Sequence, residues 1–217
     1  MKIVIIGIGS VALGIANIIS NERNYRIAGF IGTNEEDKKF RGKKIYKNFS
    51  FLGTREILKD LKKQKVEGFI VAIGDVYIRE ETFHQCTNEG LTPINAISKN
   101  AFIDDNVDIG AGVVINSGSI LQHGVTIGNN CYLGSGSIFE FKSKLDNNCN
   151  IGSGCIIGSH TSLQKNIYVG AGTVFNKKLS IGKNQSIESN KVVIKNLPGL
   201  KRKKWKKKFL LRVVVAI

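Results

Sequence analysis

Apolar residues recur with two different periods in the two halves of the chain. Before residue 96, short apolar runs alternate with stretches of helical spacing: KIVIIG, YRIAGFIG and GFIVAIGD read as strands, and VALGIANIIS, TREILKDLKKQ and YIREETFHQCTNEG as helices. Strands that alternate with helices indicate βαβ units around a parallel sheet. We therefore predict a small α/β domain over residues 1–95.

From Ile97 onward the apolar residues recur every six positions. Seventeen hexads run to Pro198 without an insertion, every hexad begins with Ile, Leu, Val or Phe, and Gly follows in seven of them. A fixed short period predicts a solenoid whose units bury their apolar face by stacking on their neighbours. We predict a three-sided parallel β-helix over residues 96–198, with three hexads in each coil, followed by a basic tail over residues 199–217.

The hexad register also assigns the cysteines. The first and fifth positions are predicted to point inward, and Gly or Asn to relieve the corner between them. Cys131, Cys149 and Cys155 all occupy the fifth position, so we interpret them as core residues rather than nucleophiles or ligands. Cys86 lies on a predicted helix. An acyl-cysteine mechanism is therefore disfavoured.

His123, one of three histidines, occupies the third position of the hexad LQHGVT and is predicted to lie at a corner. The register places Glu140 one coil onward, about 5 Å away along the axis. It places His160 two coils onward, and Asp104 and Asp105 one coil earlier. A histidine with carboxylate neighbours on a rigid corner suits a general base near neutral pH. Register alone leaves a second interpretation open, an exposed corner histidine without chemistry.

Two histidines in the prism also suggest a zinc site of the kind found in gamma-class carbonic anhydrases. His123 and His160 lie about two coils apart, but residues 161–165, TSLQK, contain no third histidine. Catalytic zinc takes three protein ligands. We therefore expect no metal.

The net charge of +15 is concentrated at one end of the chain. Eight of the 32 basic residues lie in residues 201–217, KRKKWKKKFLLRVVVAI, which leaves 24 basic and 17 acidic residues and a net charge of +7 for the rest. Two interpretations of this tail stay open: a solvated terminus, or a contact with an anionic membrane surface through Trp205 and the apolar FLL and VVVAI segments. A nucleic-acid partner is not expected, because the body lacks an aromatic-basic surface signature.

Location is predicted from absent signals. The start MKIVIIGIGS lacks the ordered regions of a signal peptide, and no window offers about 18 uninterrupted apolar residues. The cysteines show neither CxxC spacing nor a disulfide framework. We expect a cytoplasmic protein, with the tail as a candidate peripheral contact at the inner membrane face.

A small βαβ domain followed by a hexapeptide-repeat prism resembles the PglD/NeuD-type bacterial sugar O-/N-acetyltransferases of the left-handed β-helix acyltransferase family. The resemblance covers residues 1–199 and includes the stretch INxxxxxxH, here INSGSILQH from residue 115. It implies that the β-helix is left-handed, that His123 is the general base and that Asn116 contacts the sugar. This chain has Gly124 where the family often has Glu or Asp. We infer Glu140 as a second catalytic residue that orients His123 in place of that acid.

The resemblance also implies acetyl-CoA as co-substrate, bound in a cleft between adjacent prisms of a homotrimer. Tyr132 takes a place often held by a histidine near the thioester. Ser153 and Ala171 match positions whose backbone meets the CoA arm.

The first turn of the chain, GIGSVA over residues 7–12, satisfies the G-x-G-x-x-A pattern of a Rossmann-like domain. A dehydrogenase would need an acid about 20 residues later, where this chain has Gly32 and Thr33. The resemblance instead implies a site for a nucleotide sugar, formed by Gly9, Ser10, Gly32, Thr33 and Gly74. The family's usual turn is closer to GxxGHG, and its next strand usually ends in aspartates.

We therefore expect an enzyme that transfers an acetyl group from acetyl-CoA to the amino group of a nucleotide-linked amino sugar, in bacterial surface glycan biosynthesis. His123 would act as general base in a direct attack. Two alternatives stay open: an O-acetyltransferase of a sialic-acid-type sugar, and a non-catalytic hexapeptide-repeat binding scaffold.

Overall fold

A computed structural model describes residues 1–201 of the chain. These residues divide into two compact units, Met1–Ala96 and a second unit that begins at Ile97. The predicted membrane contact of the tail lies outside the described residues, apart from Lys201. Within residues 1–201, no helix is long and apolar enough to cross a membrane.

The first unit contains a six-stranded sheet with helices in its connections. Its strands are β1 Lys2–Ile6, β2 Arg26–Gly32, β3 Lys44–Tyr46, β4 Phe49–Thr54, β5 Gly68–Val71 and β6 Thr92–Pro93, and its helices are α1 Ser10–Ser20, α2 Asn34–Phe40, α3 Leu58–Leu61 and α4 Val76–Asn88. The strand order is β3-β4-β2-β1-β5-β6. All neighbours are parallel except β3 and β4. The central strands β1 and β5 are buried almost throughout, as continuous apolar sequences in a parallel sheet require.

Two parts of this unit differ from the sequence prediction. The stretch TREILKDLKKQ forms only a 3-10 turn, Arg55–Ile57, and the four-residue α3. The helix ends there because the Leu61 carbonyl accepts the N–H of Val66, and Lys65 between them adopts a left-handed φ of 60°. The β3–β4 hairpin and α2 were not predicted; β4 extends the parallel sheet beside β2 and buries Phe51.

The second unit is a β-helix of three parallel sheets with strands two residues long. Paired residues lie 18 apart, as in Tyr132 with Asn150 and Ile138 with Ile156, which confirms the predicted three-hexad coil. Face A contains β7 Ala96–Ile97, β10 Val114–Ile115, β13 Tyr132–Leu133, β16 Asn150–Ile151, β19 Tyr168–Val169 and β22 Ser186–Ile187. Face B contains β8 Phe102–Ile103, β11 Ile120–Leu121, β14 Ile138–Phe139, β17 Ile156–Ile157, β20 Val174–Phe175 and β23 Val192–Val193. Face C contains β9 Asp108–Ile109, β12 Thr126–Ile127, β15 Lys144–Leu145, β18 Ser162–Leu163 and β21 Ser180–Ile181.

The core of the prism consists of the first and fifth positions of the hexads, as predicted. Cys131, Cys149 and Cys155 are all buried among them. Several polar side chains at the fifth position avoid a desolvation penalty because they donate to a backbone carbonyl 15 residues onward, in the next coil, whereas the buried Ser143 hydroxyl has no hydrogen-bond partner within residues 1–201. The Thr161 hydroxyl donates in this way to the Asn176 carbonyl, and the Cys155 thiol to that of Gly170.

The corners require unusual backbone at a fixed place. The fourth position has a positive φ in all fourteen hexads from Gly112 to Asn190, and is Gly or Asn in most of them. Glycine at the second position meets a different demand, close stacking. A Cβ added to Gly152 would lie 2.5 Å from the backbone nitrogen of Ala171 in the next coil.

Substitutions of Gly152 and Gly154 distinguish the need for close stacking from the need for a positive φ. We expect Gly152→Ala to lower the free energy of unfolding by at least about 3 kcal/mol, because one coil would have to move away from the next. Gly154 has a φ of 67° and open space around its Cβ position, so Gly154→Ala should cost only about 1–2 kcal/mol. Urea unfolding of the two variants measures both values, and equal losses would contradict the stacking argument.

Candidate active site

His123 lies at the corner that joins face B to face C, between β11 and β12, and is half-buried. Its Nδ1 lies 3.4 Å from Nδ2 of Asn106, in the preceding coil. On the other side, its ring stacks on Phe141 in the next coil, with ring centroids 5.7 Å apart and planes 16° apart. Phe141 then meets His160 edge to face at 5.8 Å. The imidazole is therefore held between an amide and an aromatic ring.

The structure corrects the expected role of Glu140. Its Oε2 accepts hydrogen bonds from the backbone N–H and the hydroxyl of Ser159, both at 2.9 Å. Ser159 belongs to the coil beyond Glu140, whereas His123 belongs to the coil before it. Gln122, also at a second hexad position, accepts the backbone N–H of Phe141, 19 residues onward, in the same way. Acceptor side chains at this position therefore connect one coil to the next. Glu140 is therefore not the orienting partner of His123 in this structure.

A second group of predicted residues lies along the corner that joins face A to face B. Ser153 and Ala171 occupy the third positions of consecutive coils there and are exposed. Asn116 lies on the same corner, where its Nδ2 donates to the Leu133 carbonyl at 2.7 Å. The pKa of the neighbouring Tyr132 phenol is raised, because the effect of burial exceeds the opposite effect of a hydrogen bond with Asn116. Within one chain this group and His123 therefore occupy different corners.

Face B, which lies between these two corners, is apolar on its outer side. Its outward residues come from the sixth hexad position: Phe102, Ile120, Ile138, Ile156, Val174 and Val192. The corresponding residues of face C are Asp108, Thr126, Lys144, Ser162 and Ser180. Phe102 is 61% exposed and Val192 45% exposed. A continuous apolar strip beside a polar face is typical of an interaction surface.

The five predicted nucleotide-sugar residues lie at the carboxyl edge of the first unit's sheet. Gly9 is the N-cap of α1, without a side-chain cap, and Ser10 is its first residue. Gly32 ends β2, Thr33 is the N-cap of α2, and Gly74 follows β5. A Cβ at Gly9 or Gly74 would meet no described atom within 4 Å. The Thr33 side chain instead caps α2 by accepting the Glu36 N–H at 3.3 Å.

Sequence reasoning missed Asn106, Phe141 and the apolar strip. The signal for two of them was present: Phe141 is the third-position residue one coil after His123, and the strip is the sixth position of every third hexad. Asn106 lies 17 residues before His123, one off the exact register. Within residues 1–201, no three His, Cys, Asp or Glu side chains come together as a metal site would require.

Two family models match the chain. Residues 2–86 match the PglD N-terminal domain, and residues 72–193, more than half of the chain, match the GMPPB C-terminal domain. None of the curated proteins matches it.

Solved structures share the fold over almost the whole chain. The acetyltransferase domain of PglB from Neisseria gonorrhoeae is 18% identical, with a TM-score of 0.81 over 91% of this chain and 93% of that one. PerB from Caulobacter crescentus, in complex with CoA and GDP-perosamine, is 23% identical, with a TM-score of 0.69 over 92% of each chain. WeeI from Acinetobacter baumannii is 19% identical, with a TM-score of 0.64 over 92% and 94%. These matches confirm the predicted fold class, an α/β domain before a left-handed β-helix, and the resemblance to the PglD type.

The buried cysteines give a direct test of the prediction that no thiol acts as nucleophile. Burial raises the pKa of Cys86 to about 12, and it also raises the pKa of Cys155. We expect iodoacetamide to leave all four cysteines unmodified in the native protein, because burial blocks access to each of them and suppresses the reactive thiolate of Cys86 and Cys155. Mass spectrometry should show four adducts once the chain is unfolded in guanidinium. An adduct in the native state would contradict the core assignment of the residue that carries it.

Proposed function

We propose that this chain, which belongs to the family of the GMPPB C-terminal domain and carries a PglD N-terminal domain, is an acetyl-CoA-dependent sugar acetyltransferase. The observation that carries the proposal is the imidazole of His123, fixed between Asn106 and Phe141 at the edge of an apolar face. The acceptor is the amino group of a nucleotide-linked amino sugar in bacterial surface glycan synthesis. The complex of PerB with CoA and GDP-perosamine, on the same fold, supports this substrate class.

The reaction is a direct transfer with His123 as the general base. The imidazole takes a proton from the sugar amine as its nitrogen attacks the thioester carbonyl. The C–S bond then breaks, CoA leaves as a thiol with the proton returned by the imidazolium, and the acetyl group remains on nitrogen as an amide. Backbone N–H groups near the corner stabilise the oxyanion that forms between these steps.

Two contacts of His123 support a base that acts without a carboxylate neighbour. A base that works through Nε2 must carry its own proton on Nδ1. Asn106 provides the acceptor for that proton when its amide presents Oδ1 instead of Nδ2. The Phe141 ring stacks on the other side of the imidazole and fixes the plane of its ring. An amide and a ring thus take the place of the acid that Gly124 does not supply.

A cyclic trimer packed through face B completes the site. The apolar strip lies between the two corners that hold the predicted residues, so threefold packing on this strip sets one corner of each copy beside the other corner of the next. His123 of one copy then meets Tyr132, Ser153 and Ala171 of its neighbour. Acetyl-CoA binds in the cleft between them, and the sugar contacts Asn116.

The cellular setting stays a prediction from the sequence. The cytoplasm is the location that we propose, because the four cysteines are free and show no disulfide framework. We also propose that residues 201–217 contact the inner membrane face, because eight cations there accompany Trp205 and two apolar segments.

Removal of the base is the first test of the function. We expect His123→Ala to lower kcat/KM at least about 100-fold in a CoA-release assay with acetyl-CoA and a panel of nucleotide-linked amino sugars and free sialic-type sugars. His160→Ala, in the same column of rings, is the matched control and should stay close to wild type. Activity that survives in His123→Ala would exclude this histidine as the base. Absence of turnover with every acceptor, although acetyl-CoA binds, would favour the binding scaffold, and turnover on a sialic-type sugar alone would favour the O-acetyltransferase.

Charge on the apolar strip tests the assembly. Ile138→Lys places a cation at the centre of face B, and should convert the trimer to a monomer and abolish turnover, because a lysine buried there has no partner. Ser162→Lys adds the same charge to polar face C and should leave the trimer intact. Light scattering after size exclusion measures both variants.

Mixed trimers test whether two copies share each site. His123→Ala and Ala171→Trp should each be inactive alone, and co-refolding of the two should restore part of the activity. Recovery fails if both residues act within one copy.

A further inference from the structure

The carboxyl edge of the first unit's sheet has the topology of a nucleotide site. The chain leaves β1 toward β2 on one side and later enters β5 on the other, so the order β2-β1-β5 contains the switch point where ligands bind in such sheets. The ends of β1 and β5 lie close together, since a Cβ added to Gly7 would be 2.6 Å from the Ala72 carbonyl oxygen. The uncapped start of α1 at Gly9 faces the same edge.

The end of β2 lacks the acid that usually binds ribose, but the structure supplies a carboxylate there from α2. The Oε2 atom of Glu36 accepts the backbone N–H of Thr33 at 2.8 Å. A Cβ added to Gly32 would overlap this oxygen and lie 2.8 Å from Cε2 of Phe51. The Glu36 carboxylate therefore occupies the place where the side chain of residue 32 would begin. Glycine is needed at position 32 because the acid arrives from a residue four positions later.

We propose that Glu36 binds the ribose hydroxyls of the nucleotide, so that the substrate is a ribonucleotide-linked sugar and not a 2′-deoxyribonucleotide-linked one. A carboxylate accepts about four hydrogen bonds, and the helix cap uses one of them. The rest are available to a vicinal diol at the end of β2. The half-buried position of Glu36 strengthens these bonds relative to an exposed carboxylate. This inference rests on the proposed function, and it names the nucleotide class of the substrate.

The same carboxylate has a structural role in the capping box with Thr33, so the test must separate the two. Glu36→Gln does so, because glutamine also completes a capping box while the negative charge is lost. Glu35→Gln is the matched control, since it removes an exposed charge from the first turn of the same helix. Circular dichroism should show the same helix content in both variants.

Calorimetric titration of the full chain with UDP, dUDP, GDP and dGDP gives the decisive measurement. For the base that binds, we expect the ribonucleotide to bind at least about 10-fold more tightly than its 2′-deoxy form, the value of one charge-assisted hydrogen bond. Glu36→Gln should remove most of this difference by weakening the ribonucleotide alone. Glu35→Gln should retain it.

Three results would overturn the inference: equal binding of both forms by the wild type, an equal loss for both forms in Glu36→Gln, or no binding of any of the four nucleotides. Failure of the proposed function looks different. A ribose preference that depends on Glu36, without acetyl transfer to any acceptor, would contradict the proposed acetyltransferase and support the ribose site. Efficient transfer to 2′-deoxynucleotide-linked sugars would support the acetyltransferase and contradict the ribose site.

Discussion

The hydrogen bonds between successive coils are the interaction on which the prism depends. Each two-residue strand is too short to be stable alone, and it exists because partners 18 residues away in either direction complete its backbone bonding. Side chains reinforce the same register. Several fifth-position hydroxyls and thiols donate to carbonyls 15 residues onward. The amides of Asn130, Asn148, Asn166 and Asn184 form a continuous ladder that ends on the Leu200 carbonyl. An insertion within a coil that neither adds a whole coil nor loops out at a corner would shift the register of every pair that it separates.

This register also determines which side chains surround His123. Residues far apart in sequence form vertical columns, and a column can hold a reactive side chain between two fixed neighbours. His123 is such a case: its amide partner and its aromatic partner come from the coils before and after it. In the function that we propose, the rigidity that packing gives to this corner orients the base in place of an acid–imidazole pair.

The period, the core positions and the cysteine assignments were predictable because each follows from a repeated pattern in which one exception would stand out. The role of Glu140 was not predictable in the same way. Register gave its height along the axis correctly, but the direction of a second-position side chain depends on the nearest backbone N–H, which lies in the following coil.

In the first unit the short α3 and the β3–β4 hairpin escaped prediction, since a four-residue helix and a three-residue strand have no usable periodicity. Glu36 escaped for a related reason: a motif search looks for an acid at the strand end, whereas here it arrives from the next helix.

The eighteen-residue coil has a consequence for how proteins of this kind change in length. The contacts of His123 with Asn106 and Phe141 involve only three consecutive coils, and the proposed CoA contacts end at Ala171, so the coils beyond Ala171 contribute only height to face B. Gain or loss of one complete coil near the C-terminal end would leave every column aligned and would only lengthen or shorten face B. Evolution can therefore change the length of such a prism by whole coils without changing the coils that hold the proposed site.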